Sequence, residues 1–133
     1  MKTSVGLWID HKKAVIVFVT GEDEEIKLIH SDLKKGHRQS GVSVPADDIR
    51  QRELTEHLNH YYDEVIAVLR NAEALRSAEA ILIMGPGEAK GELKKRLEIN
   101  HLNGREIEVE TVDKMTENQI VAKVREYFNN RIQ

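Results

Sequence analysis

The sequence predicts an α/β domain: a mixed five-stranded sheet carrying three helices. Two observations predict it. Residues 1–30 hold three short β-rich runs separated by tight polar turns, the pattern of an antiparallel meander. From Asp47 onward, helix-period runs alternate with two further strand-like runs, the pattern of parallel strands joined by helical crossovers.

Val5–Ile9 reads as the first strand, Asp10-His11-Lys12-Lys13 as a polar turn, and Ala14–Val19 as a β-branched second strand. After the turn Gly21-Glu22-Asp23-Glu24, residues Glu25–His30 alternate polar with apolar, placing Ile26, Leu28 and His30 on one face of an edge strand. Asp32–Ala46 has no periodicity and is long for a connection in a compact domain, a length that marks functional or mobile loops. Pro45 and Asp47-Asp48 open a long helix, with apolar positions Leu54, Leu58, Tyr61, Val65, Val68 or Leu69, Ala72 and Leu75 on one face. Ala80–Met84 is an apolar fourth strand. It runs into Gly85-Pro86-Gly87 and a helix from about Glu88 to Ile99. Glu106–Thr111 is the fifth strand, with Ile107 and Val109 on one face. Thr116 and Gln119 form a capping-box pattern before a third helix, whose inward stripe is Ile120, Val124 and Tyr127 or Phe128. The order β-β-β-α-β-α-β-α, with right-handed crossovers, gives a ribonuclease-H-like sheet ordered 3-2-1-4-5.

The 133 residues are read as a single domain, 1–133. A charged content of 32% beside 40% apolar residues describes a globular chain, and the net charge of -3 leaves nucleic-acid binding to local patches. The absence of cysteine excludes disulfides, thiolate zinc sites and a cysteine nucleophile. No apolar run approaches the ~20 residues of a membrane span, and no signal-peptide pattern opens the chain. The expectation is a cytoplasmic protein without a membrane partner.

Four segments carry a family resemblance: Gly6-Leu7-Trp8-Ile9-Asp10; Lys34-Lys35-Gly36-His37-Arg38-Gln39-Ser40; Arg50 and Arg52 with Asn59-His60-Tyr61-Tyr62; and Gly85-Pro86-Gly87 through Lys90 to Leu93-Lys94. In this order they resemble the central domain of archaeal and eukaryotic class I peptide-chain release factors and of Pelota-type rescue factors. The resemblance implies a translation-associated role, with the basic loop where true release factors hold Gly-Gly-Gln. Here His37-Arg38 precedes Gln39, so the glycines that give that loop its special backbone are not retained. The recognition and partner-binding domains of full-length release factors are also missing from this chain.

Lys34, Lys35, His37 and Arg38 form a cationic run without an acid, and Arg50 and Arg52 follow on the helix. With the resemblance, these residues and Gln39 are expected to contact RNA, the cations on phosphate and Gln39 near an acceptor end. The competing reading is a solvated charged loop. Gly85, Gly87 and Lys90 could cradle an anion at a helix N-terminus, but the P-loop and GxGxxG spacings are absent and a tight packing turn is the favoured reading. Gln39 and Asp10 are secondary catalytic candidates. Gln39 could position water. Asp10, with Glu53, Glu56 or Asp113, could serve a two-metal nuclease, although strand four ends without a carboxylate and Asp10 reads better as a turn residue. His57 and His60 share a helix face without a third ligand, so no metal site and no cofactor are expected. Trp8, Tyr61 and Tyr62 read as core or core-edge residues.

The expected function is therefore ribosome or tRNA binding through the 33–46 loop and the start of the long helix, without catalysis. The alternatives are a metal-dependent nuclease and a protein-interaction module with another chain as partner. The sequence does not indicate an oligomeric state.

Overall fold

The computed structural model describes residues 3–31, 47–71, 80–99 and 106–132, with side chains over 4–31, 56–70, 80–99 and 106–129. The elements are β1 (Thr3–Ile9), β2 (Lys13–Thr20), β3 (Asp23–His30), α1 (Asp47–Asn71), β4 (Ala80–Gly85), α2 (Ala89–Ile99), β5 (Glu106–Thr111) and α3 (Glu117–Ile132). The expected order of elements and the expected strand order 3-2-1-4-5 are both present. β1 and β2 pair antiparallel with Ile9 opposite Ala14, and β2 and β3 pair antiparallel with Val17 opposite Ile26. β4 joins β1 in parallel, Trp8 beside Met84, and β5 joins β4 in parallel, Gly85 beside Thr111.

The three central strands are apolar on both faces because both faces are covered. Leu7, Ile9, Ile16, Ile81 and Ile83 pack under Tyr61, Val65 and Leu69 of α1 and Leu93 and Leu97 of α2. Trp8, Val15, Val17, Leu82 and Met84 pack against Ile120, Val121 and Val124 of α3 on the opposite face. Burial of this kind contributes about 1.5–3 kcal/mol per large side chain. Gly6 sits where α3 comes closest: a Cβ there would lie 2.5 Å from Val124 Cγ2.

The edge strands follow their patterns. Ile29 is the buried residue of β3, while Ile26 and Leu28 lie on the α3 face, Ile26 half-buried and Leu28 48% exposed. β3 starts two residues earlier than its apolar alternation suggests. The backbone ladder continues to Thr20 opposite Asp23 around a two-residue turn, with Gly21 at φ 62°. Arg125 donates to the Gly21 and Glu22 carbonyls at 3.1 and 3.0 Å, tying that turn to α3. Ile107 and Val109 of β5 face the α1–α2 layer. α3 opens with the expected reciprocal cap: Thr116 N donates to Gln119 Oε1 at 2.9 Å, and Gln119 N donates to Thr116 Oγ1 at 3.2 Å. On α1, Leu58 and Val68 are partly buried, whereas Leu54, Ala72 and Leu75 fall outside the described side chains.

Candidate functional site

Strand direction gathers separated segments at one end of the sheet. β1, β3, β4 and β5 all finish on the same edge, so the 10–12 turn, the chain leaving Ser31, the Gly85-Pro86-Gly87 joint and residues 112–116 emerge together. β1 and β4 are adjacent and parallel, and their connections leave in opposite directions. Such a point in an open α/β sheet is where ligands are usually met.

The turn after β1 is built by Asp10. Its Oδ1 accepts from Lys12 N and Lys13 N, each at 2.8 Å, and its own N–H donates to the Lys13 carbonyl at 3.0 Å. Asp10 is thus the turn residue expected from its neighbours, its carboxylate engaged by the local backbone. Ser31 N donates to the Lys12 carbonyl at 2.9 Å, which fixes the point from which the 32–46 segment departs.

Two glycines of the strand-to-helix joint have different standing. A Cβ on Gly85 would lie 2.2 Å from the Ile9 carbonyl oxygen, so this position requires glycine for the close approach of β1. Nothing lies within 4 Å of a Cβ on Gly87. Lys90 Nζ donates back to the Gly87 carbonyl, holding the joint closed over the start of α2. Gly85 is therefore needed for the approach of β1 to β4, and Lys90 is engaged within the joint.

A polar network lies beside the joint. Glu92 Oε1 accepts from the Tyr62 hydroxyl and lies 3.3 Å from His11 Nε2. Tyr61 donates its hydroxyl to the Asp10 carbonyl at 2.9 Å. Arg96 donates to Asn59 Oδ1, pairs with Asp63 Oδ1 at 3.6 Å and sits 5.2 Å over the Tyr62 ring. Burial pushes both phenols above their ordinary value near 10. The Asp10 charge adds to the effect at Tyr61 and the Glu92 hydrogen bond adds to it at Tyr62. Trp8 and both tyrosines are core-edge residues as expected. Trp8 is buried, with Nε1 donating to the Asp113 carbonyl at 3.1 Å and Lys13 Nζ 5.7 Å from its ring.

Helix α1 is longer than the sheet it packs on. Its 25 residues span about 37 Å, against about 23 Å for the seven residues of β1. The Tyr61–Asp10 bond pins the helix at the sheet's carboxyl end. Residues 47–60 consequently carry its N-terminus up to about 21 Å further along the helix axis. Arg50 and Arg52 lie on this overhang. Lys34, Lys35, His37, Arg38 and Gln39 lie outside the described residues. Among the described residues, no group of three or more His, Asp and Glu is placed to hold a metal ion.

Comparison with solved structures gives matches over nearly the whole chain. The Thermoplasma acidophilum Pelota protein superposes with a TM-score of 0.59 at 14% identity, covering 92% of this chain and 31% of that one. The archaeal translation termination factor aRF1 gives 0.58 at 15% identity, covering 98% and 41%. S. cerevisiae Dom34, a translation termination-like factor involved in RNA quality control pathways and interacting with Hbs1, gives 0.57 at 13% identity, covering 91% and 31%. The fold is that of a Pelota and release-factor domain. This chain spans about a third to two-fifths of those structures. No family model matches the sequence, and no curated protein does. None of the helices among the described residues is long and apolar enough to cross a membrane.

Sequence reasoning did not single out His11, Glu92 or Arg96. The signal was present in the strand order. In a 3-2-1-4-5 sheet, the residue after β1 and the first turn of the helix after β4 must be neighbours, which brings His11 to Glu92.

Proposed function

We propose that this domain works in translation, binding the ribosome or tRNA through residues 33–46 and the overhanging start of α1, without catalysing a reaction. The observation that carries this reading is the shared fold. Over 91–98% of the chain it matches a translation termination factor, a translation termination-like factor and Pelota. Arg50 and Arg52 support it by their place, at the start of a helix longer than the strand it packs on and next after the cationic segment in the chain, with Asp47, Asp48, Glu53 and Glu56 beside them. Lys34, Lys35, His37, Arg38, Arg50 and Arg52 pair with phosphate in this reading, and Gln39 meets the acceptor end. The chain acts as one cytoplasmic domain. Peptide release is not assigned to it, since His37-Arg38 replaces the glycines that position glutamine in release factors. The nuclease reading has less to rest on, with the Asp10 carboxylate held by the backbone of its own turn.

The test is ribosome co-sedimentation across a salt series. Each phosphate contact contributes about 0.7–0.9 to the slope of log affinity against log salt, so K34A/K35A/R38A should weaken binding and flatten the slope by about 2. Unchanged affinity and slope would remove the proposal. Metal-dependent RNA cleavage lost in Asp10→Asn would replace it with the nuclease.

A further inference from the structure

Helix α1 is held in two different ways along its length. Below Tyr61 it is fixed by buried apolar side chains, Val65 and Leu69 both being fully buried. Above Asn59 its described side chains are half-buried or exposed, Leu58 still packing on the core, and the helix runs for eleven further residues toward Asp47. Between the two lies one helical turn, Asn59 to Asp63, gripped by polar contacts from two directions. Tyr61 binds the Asp10 carbonyl at the end of β1. On its other side, Glu92 takes the Tyr62 hydroxyl, while Arg96 reaches Asn59 and Asp63 and covers the Tyr62 ring. His11, at 3.3 Å, braces the same Glu92 oxygen from the β1–β2 turn.

We propose that this turn is a fulcrum, with Glu92 and Arg96 of α2 as positioning residues that set the direction in which the overhang of α1 projects. The lever is long. With the helix start about 21 Å beyond the fulcrum, a 10° change in its direction moves Asp47 by about 4 Å, more than a hydrogen-bond length. Apolar packing over residues 61–69 sets the mean direction of the helix to within the scatter that packing angles show, about 15–20°. Hydrogen bonds are directional, and two elements supply them to this turn: β1 through the Asp10 carbonyl, and α2 through the charged Glu92 and Arg96. The consequence for binding rests on the function proposed above. A wandering overhang must be ordered on contact, which lowers affinity without removing a phosphate contact.

The chain has no cysteine, so two introduced cysteines label it uniquely. Glu56 on α1 and Glu108 on β5 are exposed, and E56C/E108C would carry nitroxides for double electron–electron resonance. The parent should show one narrow distance distribution. E92A/R96A should broaden or shift it by about 1 Å for each 10° of swing, since Glu56 stands about 7.5 Å from the fulcrum, and E92Q/R96K, which keeps an acceptor and a cation in place, should restore most of the narrow peak. Leu97→Ala, a cavity in the same α2 helix, should lower the melting temperature while leaving the width unchanged. In ribosome binding, E92A/R96A should cost about fivefold in affinity with the salt slope preserved. An unaltered distribution in E92A/R96A overturns the fulcrum. Broadening in a protein whose parent does not sediment with ribosomes would keep the fulcrum and remove the function proposed for the overhang.

Discussion

Substitution at the two glycines of the β4–α2 joint separates a packing role from a ligand-cradling one. In Gly85→Ala the new methyl would lie 2.2 Å from the Ile9 carbonyl oxygen, about 1 Å inside ordinary contact. The obstacle is backbone in a central strand, so it cannot rotate away. Either β1 and β4 part at their ends or β4 shifts against β5, where Val112 N donates to the Gly85 carbonyl at 3.0 Å. Overpacking costs about 1–3 kcal/mol, and the rigid obstacle puts this case at about 3. For a chain of this size that lowers the melting temperature by about 10–15 °C. Gly87→Ala is the matched control. It meets nothing within 4 Å, and the loss of unfolded-chain entropy makes it neutral or stabilising by about 0.4–1 kcal/mol. The assay is thermal unfolding by circular dichroism, with and without millimolar phosphate. Equal melting temperatures for Gly85→Ala and the parent would refute the packing argument. A phosphate-dependent rise in the parent that Gly87→Ala abolishes would restore the anion cradle.

Two further substitutions probe the remaining contacts. Gly6→Ala puts a methyl 2.5 Å from the buried Val124 Cγ2 and should cost about 1–3 kcal/mol. G6A/V124A should be less destabilised than the sum of its parts, a coupling that urea unfolding of the full cycle measures. Both Tyr61 and Tyr62 hold their protons more tightly folded than unfolded. Their contribution is therefore complete below about pH 10 and is lost above it, by about 1.4 kcal/mol per pH unit for each phenol. Tyr61→Phe should flatten this alkaline slope while costing about 1 kcal/mol at neutral pH through the lost bond to the Asp10 carbonyl. Identical slopes in variant and parent would contradict the burial-driven shift.

Much of the architecture was legible because each element has a local cause. The Thr116–Gln119 cap, the continuous apolar run at Ala80–Met84 and the long helical stripe through Tyr61 and Val65 depend on residues close together in the chain. Strand order followed from connection lengths. What was not legible depends on angles and approach distances between elements. Nothing in Gly85-Pro86-Gly87 says that its first glycine abuts a carbonyl 76 positions earlier while the second has open space. Glu92 reads as an ordinary first-turn acid, and only the packing of α2 against α1 makes it the acceptor for Tyr62. The cationic candidates fared differently: Arg50 and Arg52 fall on the overhang, and residues 34–39 lie beyond what is described.

The overall charge of -3 is a poor guide to whether such a domain can meet a polyanion, and the topology says why. Glu22, Asp23, Glu24 and Glu25 are exposed at the β2–β3 turn. That turn lies at the end of the sheet opposite the one where Ser31 and the Gly85-Pro86-Gly87 joint sit. One strand of eight residues separates the two ends, about 26 Å. At physiological ionic strength the Debye length is about 8 Å, so these acids, roughly 20–30 Å from Ser31 along the strand, act on a phosphate at the carboxyl end with under about a tenth of their unscreened effect. The charge that matters there is local: Lys12 and Lys13, with Arg50 and Arg52 further out on the helix, against Asp10, Glu88 and Glu92 and against Asp47, Asp48, Glu53 and Glu56 of the overhang itself. Of these acids, Asp10 is engaged by backbone N–H groups and Glu92 by Tyr62 and His11. The described residues at that end carry no net positive charge, so a cationic surface there rests on the run Lys34, Lys35, His37 and Arg38 in the sequence.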